Sequence, residues 1–274
     1  MRWQDVYSRL PEVSTGFGLH DSPNKYLNPP NIAQHAQALR RIGVTHYKIL
    51  ADTNPNKAER VRTYVQNGIA CIVRVHAERP SPDFVVNREV VRAYKQAGAW
   101  AIEPVNEPNL RDEWADGRFP NSWDEYGRQI ARQWMRNAEA IIGEGAIPVT
   151  PALSPGGNIN HRIATEKFLM GINELGGRDL LNHAVIGVHW RPLNNPIDTP
   201  PGGGNPPNTT LWREHEWYFQ VYAQFLGHMP GFVETESGYS PNSGENGNFP
   251  HMTRQTWADW NKELYSRLNP SHPK

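Results

Sequence analysis

The sequence predicts an α/β fold, a (β/α)8 TIM barrel, and three observations carry that prediction. Short apolar runs alternate with amphipathic segments along nearly the whole chain, the pattern of parallel strands joined by helical crossovers. Polar residues able to do chemistry close almost every apolar run at its carboxy end. A closed barrel gathers its site from all strand ends, whereas an open sheet uses only a few. Neither G-x-G-x-x-G nor G-x-x-x-x-G-K occurs, so no phosphate-binding turn marks a nucleotide fold.

The first strand is expected at residues 13–19, closed by His20 and Asp21. Ile32, Ala36, Leu39 and Ile42 follow at helical spacing. The second strand spans residues 44–50, and a helix at 55–67 is stopped by Gly68, the usual residue just past a helix end. The third strand, residues 69–75, ends at His76; the helix at 88–96 is stopped by Gly98. The fourth strand, residues 99–105, delivers Asn106 and Glu107. Residues 122–142 form the clearest helix: Ser122 and Glu125 make a capping box, and Trp123, Tyr126, Ile130, Trp134, Ala138 and Ile141 form one apolar stripe. The fifth strand is placed at 146–152 and the next helix at 164–175, before Gly176. The sixth strand is placed at 184–190. Residues 191–210 form a loop with six prolines and a triple glycine, long enough to be a functional wall over a cleft. A helix at 211–226, a seventh strand at 232–236 and a last helix at 253–268 complete the series, with Trp257, Trp260, Leu264 and Leu268 as the last helix's buried stripe. Trp134 and Trp260 are expected to be buried.

These are seven strand–helix units, and only NPSHPK follows Leu268. A single catalytic barrel domain over residues 1–274 is therefore expected, its eighth unit or a further segment lying beyond the carboxy end. The 28 basic and 28 acidic residues balance, which speaks against a nucleic-acid partner. No apolar run reaches the ~18 residues of a membrane span. The start, MRWQDVYSRLPE, carries no signal-peptide core; a leader removed earlier would leave no trace, so secretion stays open and localisation unknown. Cys71 is the only cysteine and reads as a small buried hydrophobe.

Two stretches carry the chemistry: WAIEPVNEPNL at 100–110 and GFVETESGY at 231–239. Each is an apolar run that presents carboxylates at its end. Two strand-end carboxylates converging across a narrow barrel suit hydrolysis of a glycosidic bond, one carboxyl kept protonated and the other ionised. Like charges held close push their two pKa values apart. Pro108 stops the fourth strand's ladder and fixes the loop's exit. Glu103 and Glu234 share strand parity with Glu107 and Glu236, so both are expected one layer deeper, as structural acids compensated by Lys48 and Arg74.

WAIEPVNEPN resembles the fourth strand of the clan A glycoside hydrolases, families 39 and 5 in particular, in the pattern E-x-x-N-E-P-N. FVETESGY is similar to that clan's seventh strand, T-E-x-G, and GVHW to its sixth. The resemblance implies retaining hydrolysis of a β-glycosidic bond without a cofactor. It implies Glu107 as acid/base, Glu236 as nucleophile, Asn106 as hydrogen-bonding the sugar 2-hydroxyl, and His189 as lying near the nucleophile. The chain departs from the pattern at Arg191, where related sequences commonly carry tyrosine. Arg191 would pair with a carboxylate and lower its pKa, bind an acidic sugar, or turn to solvent.

The expected partner is carbohydrate, with His20, His76, His189, Trp190, Arg191 and Tyr239 among the binding residues and Trp114 and Trp212 as further candidates for subsites. Two other readings remain open. His20, Asp21, His76 and His189 could hold a metal in a metal-dependent hydrolase, although no H-x-H or H-E-x-x-H pair occurs and no metal is expected. A barrel that binds glycan without cutting it is the other; a pure binder has no need of the Glu107–Glu236 pair.

Overall fold

The computed structural model describes residues 1–2, 5, 18–21, 31–51, 53–75, 83–114, 119–199, 214–239, 247–248 and 250–268, without the side chains of 265, 267 and 268. His76, Trp212 and the stretch from 200 to 213 lie outside the described residues, as do 13–17 of the expected first strand.

The order of elements is β1 Gly18–His20, α1 Ile32–Arg41, β2 His46–Ala51, α2 Ala58–Gln66, β3 Ala70–Val75, α3 Arg88–Gln96, β4 Ala101–Glu103, α4 Trp123–Gly143, α5 His161–Glu174, a short α6 Arg178–Leu181, β5 Ile186–Trp190, α7 Glu214–Leu226, β6 Phe232–Ser237 and α8 Arg254–Leu268. Side-chain oxygens satisfy the first turns of four helices: Asn31, Asn87, Ser122 and Asn160 each accept a backbone N–H two or three residues on.

Strands β1 to β4 form one parallel sheet in chain order, and β5 and β6 a second parallel pair. The expected fifth strand is present only as parallel bridges, Ile102 to Pro148, Val149 to Val185 and Asn106 to Ala152, which join the two sheets into a partial (β/α)8 barrel. Pro148 and Pro151 explain the broken ladder, since neither has an N–H to donate. The amino terminus extends the array at the other end. Arg2 makes an antiparallel bridge to Pro230 at the foot of β6, and Gly231 N donates to Met1 O at 3.1 Å.

Alternation along the strands sorts the core into layers. Inward residues Ile72, Ala101, Val149 and Val185 fill the barrel with Trp100 and Ile147, and Met1 and Val233 pack against them. Outward residues meet the helices: Tyr47, Ile49, Cys71, Val73 and Ile102 pack under α1 to α3, and Ile186 and Val188 under α5 and α7. Helices α4 and α5 approach so closely that a Cβ on Gly171 would lie 2.4 Å from Gly127 O. Trp134 is fully buried as expected, its indole donating to Val149 O at 3.0 Å. On α8 the expectation fails in part: Trp260 is half-buried and Trp257 is 38% exposed, because among the described side chains of that helix only Leu264 and Trp260 reach the small cluster beneath it; the Leu268 side chain lies outside the described residues. No helix among the described residues is long and apolar enough to cross a membrane.

Candidate active site

The inward face of β1 to β4 carries an unusual cargo for a buried surface. His20 and Lys48 are in register on β1 and β2, and Arg74 and Glu103 on β3 and β4. Lys48 and Glu103 are buried and form an ion pair of 2.6 Å. Burial of either charge alone would be costly, so each requires the other.

Beyond Glu103 the chain leaves the ladder at Pro104 and returns for the Asn106–Ala152 bridge. Glu107 follows with φ +40°, a left-handed conformation uncommon for a side-chain-bearing residue. Surrounding contacts hold it there. Glu107 N donates to Ala152 O, Leu110 N donates back to Glu107 O, and Trp114 Nε1 donates to Pro108 O. The buried Asn109 amide bonds Ser154 O and Ile159 O and accepts from Ser154 N, tying this loop to the next. Backbone strain sustained by so many contacts is characteristic of functional positions.

Glu236 arrives from the other side of the mouth on β6. Register runs Val188 to Glu234 and then His189 to Glu236, so Thr235 is an extra residue, a β-bulge. The bulge corrects the parity expected for this strand. Glu234 shares the outward face of Val188 and is exposed, while Glu236 turns inward beside His189. Glu234 is therefore not a deep inward acid, and Arg74, expected to compensate Glu103 and Glu234, instead lies 3.4 Å from Glu236 and 3.9 Å from Glu113.

Carboxylate oxygens of Glu107 and Glu236 come within 4.8 Å of each other. Glu107 Oε1 accepts from Arg191 Nη2 at 2.8 Å and lies 2.9 Å from His189 Nδ1. Glu236 Oε2 accepts from the same Arg191 nitrogen at 3.0 Å; its Oε1 has Lys48 at 3.2 Å, His20 at 3.4 Å and His189 at 4.0 Å. Burial pushes the Glu107 carboxyl up, but the His189 hydrogen bond and the charges of His189 and Arg191 outweigh it and hold the group below its ordinary value. Burial likewise acts to raise Glu236; His20, His189 and Lys48 together hold it well below the usual carboxylate range. Glu113 is the reverse case. Burial and the nearby Glu107 and Glu236 charges prevail over Arg74 and Asn106 and raise it.

Of the expected site residues, the structure brings together Glu107, Glu236, Asn106, His20, His189 and Arg191. It does not place Trp190 and Tyr239 as open sugar platforms. Both are buried, 5.7 Å apart edge to face, in a cluster with Ile197, Met252 and Leu264. Trp114 is also buried. Asp21 turns away from His20 toward the helical layer, where Arg60 grips both carboxylate oxygens at 2.9 Å and Tyr47 donates to it. Of the expected metal set His20, Asp21, His76 and His189, Asp21 is thus committed to Arg60, and His76 lies outside the described residues.

Among the described residues Glu107, His189 and Glu236 have metal-ligand spacing. The space between the two carboxylates already receives a guanidinium, and Lys48 and Arg74 stand beside Glu236. A divalent ion there would face three positive side chains, so the residues present fit it poorly. Sequence reasoning missed Glu113. The turn Pro108–Asn109 folds the chain back over the mouth, and nothing in the apolar pattern marks that reversal.

No protein-family model and no curated protein matches the sequence. Solved structures show likeness at the level of fold. A family 39 glycoside hydrolase from the gut symbiont Bacteroides cellulosilyticus WH2 is 15% identical with a TM-score of 0.55, covering 94% of this chain and 54% of its own. BuGH86E322Q in complex with neoagarooctaose is 10% identical with a TM-score of 0.50, covering 93% of this chain and 51% of its own. The chain thus spans about half the length of these structures and shares their barrel.

Proposed function

We propose that this chain is a catalytic barrel domain that hydrolyses β-glycosidic bonds of an oligo- or polysaccharide by double displacement, with Glu107 as acid/base and Glu236 as nucleophile. The observation that carries the reading is the approach of these two strand-end carboxylates to within 4.8 Å across the barrel mouth. A retaining pair stands roughly 5–5.5 Å apart, whereas an inverting pair leaves roughly 6.5–9.5 Å for a water. The fold shared with the family 39 enzyme agrees with the reading and says nothing of the substrate.

Glu236, ionised and steadied by Lys48 and His20, attacks the anomeric carbon and forms the glycosyl-enzyme. Glu107 donates a proton to the departing oxygen, then takes one from the water that releases the sugar. The His189 hydrogen bond and charge, with the Arg191 guanidinium beside them, favour the ionised form of Glu107. A sugar seated between the carboxyls displaces that guanidinium and excludes water, and both changes act to raise the Glu107 pKa.

The glycan-binding reading keeps one observation in its favour: one Arg191 nitrogen bonds both carboxylates at once. Trapping separates the two. Incubation with activated 2-fluoro glycosides is expected to add one sugar mass to Glu236, seen in the peptide map, and the Glu236→Gln variant is expected to remain unlabelled. A screen of defined oligosaccharides against wild type and this variant identifies the sugar. Binding without turnover or labelling in wild type would establish the non-catalytic barrel instead.

A further inference from the structure

Asn106 is 9% exposed, and its two amide atoms have different surroundings. Nδ2 donates to Glu113 Oε1 at 3.4 Å, while Oδ1 is buried with no hydrogen-bond partner. A buried acceptor left unmatched costs free energy unless a ligand supplies the donor. Glu113, to which this amide is bonded, feels the charges of Glu107 and Glu236, so the amide lies near the carboxylate pair.

Glu113 is held where it can set that orientation. Its 3-10 turn, Arg111–Glu113, is pinned at both ends: Arg111 N donates to Asn158 Oδ1 at 2.7 Å and Trp114 N to Arg111 O at 3.2 Å. An ionised carboxylate only accepts, so it takes the NH2 end of the amide and turns the carbonyl the other way. Arg74 lies 3.9 Å from Glu113 and 3.4 Å from Glu236, which links this acid to the reacting pair.

We infer that Glu113 is a positioning residue that holds the Asn106 amide so that Oδ1 faces the substrate, and thereby selects a sugar bearing a hydrogen-bond donor, a hydroxyl or an amide N–H, next to the reacting carbon. The inference rests on the glycosidase reading and deepens it. A sugar without that donor leaves Oδ1 unmatched and reacts with a lower kcat/KM, the way a polar site discriminates against an analogue lacking its partner. Glu113 acts only through Asn106.

Two measurements test it. In the ligand-free protein the side-chain NH2 resonances of Asn106 are expected to titrate as Glu113 takes up a proton. That titration persists in Glu236→Gln and vanishes in Glu113→Leu and Glu113→Gln. In kinetics, matched aryl glycosides with and without the 2-hydroxyl are compared. Glu113→Leu is expected to lower kcat/KM about tenfold or more for the hydroxyl-bearing substrate and to leave the 2-deoxy substrate within about twofold. Glu113→Gln, which keeps an acceptor for Nδ2, restores much of the loss. Equal losses on both substrates, or Asn106 resonances that ignore Glu113, overturn the inference. Wild type that turns over neither glycoside overturns the glycosidase reading, and the resonance titration still decides whether Glu113 sets the Asn106 amide.

Discussion

Glu107 and Glu236 share a single nitrogen, Arg191 Nη2, at 2.8 Å from one carboxylate and 3.0 Å from the other. A retaining transition state places positive charge between its two carboxyls. Arg191 brings a cation to both carboxylates, and with His189 it favours the ionised form of Glu107.

Removing Arg191 therefore has a signed consequence. A guanidinium favours the ionised carboxyl, so its loss raises the Glu107 pKa. The group then stays protonated to higher pH, and the basic limb of the kcat/KM profile, which reports the acid in the free enzyme, moves up in Arg191→Met. A limb that stays in place would show that Arg191 does not control Glu107.

Glu107 and Glu236 fail differently when removed. Glu236→Ala is expected to abolish glycosyl-enzyme formation, and added azide to restore turnover from the opposite face as an inverted glycosyl azide. Glu107→Gln is expected to cost about 10²–10⁴-fold on substrates with poor leaving groups, which alone need the proton. Activated aryl glycosides still form the intermediate, which then decays slowly. Product stereochemistry by NMR and burst kinetics distinguish the two; loss independent of leaving group would remove Glu107 from the acid role.

Lys48 joins the buried acid Glu103 to Glu236. It lies 2.6 Å from Glu103 and 3.2 Å from Glu236, and both Lys48 and Glu103 are buried. Lys48→Met leaves Glu103 charged and unpaired, at a cost of roughly 3–5 kcal/mol, read as a lower urea midpoint. Lys48→Met combined with Glu103→Leu is expected to recover most of that stability, but not the activity, because Glu236 still lacks its lysine. Equal destabilisation in single and double variants would contradict the pairing.

Much of this architecture is legible in the sequence because strand and helix periods survive in it. Residues 70–75 and 88–96 read correctly almost to the residue, since their apolar spacing and terminal glycines agree with the packing. The carboxylate pair is legible for the same reason: a strand's end fixes where its last side chain goes. Where the reading failed, non-local geometry decided. The bulge at Thr235 reverses Glu234, and no residue type announces it. Trp190 and Tyr239 are covered by Leu264 and Trp260 of α8, a contact between segments far apart in sequence. Glu113 reaches the site through a turn whose direction depends on Asn109 bonding the 154–159 loop.

Acid sensitivity should come from a second cluster at the starts of α5 and α7. Glu214 is 1% exposed and is gripped by His161 at 3.3 Å and by Arg162. Burial acts to raise its pKa, but the hydrogen bonds from His161 and Arg162 prevail and bring it down to about 2. In the unfolded chain an ordinary glutamate protonates near 4.3, so between that pH and about 2 the unfolded state holds more protons than the folded one. Stability from this group is therefore fully present above pH ~5 and lost as pH falls through that window, by up to about 3 kcal/mol. Glu107 and Glu236, also depressed, add to the same slope. Glu214→Gln is expected to be less stable at pH 7 and to flatten the fall in urea midpoint between pH 5 and 3. A variant that keeps the full wild-type slope would place the acid sensitivity elsewhere, with Glu107 and Glu236 the first candidates.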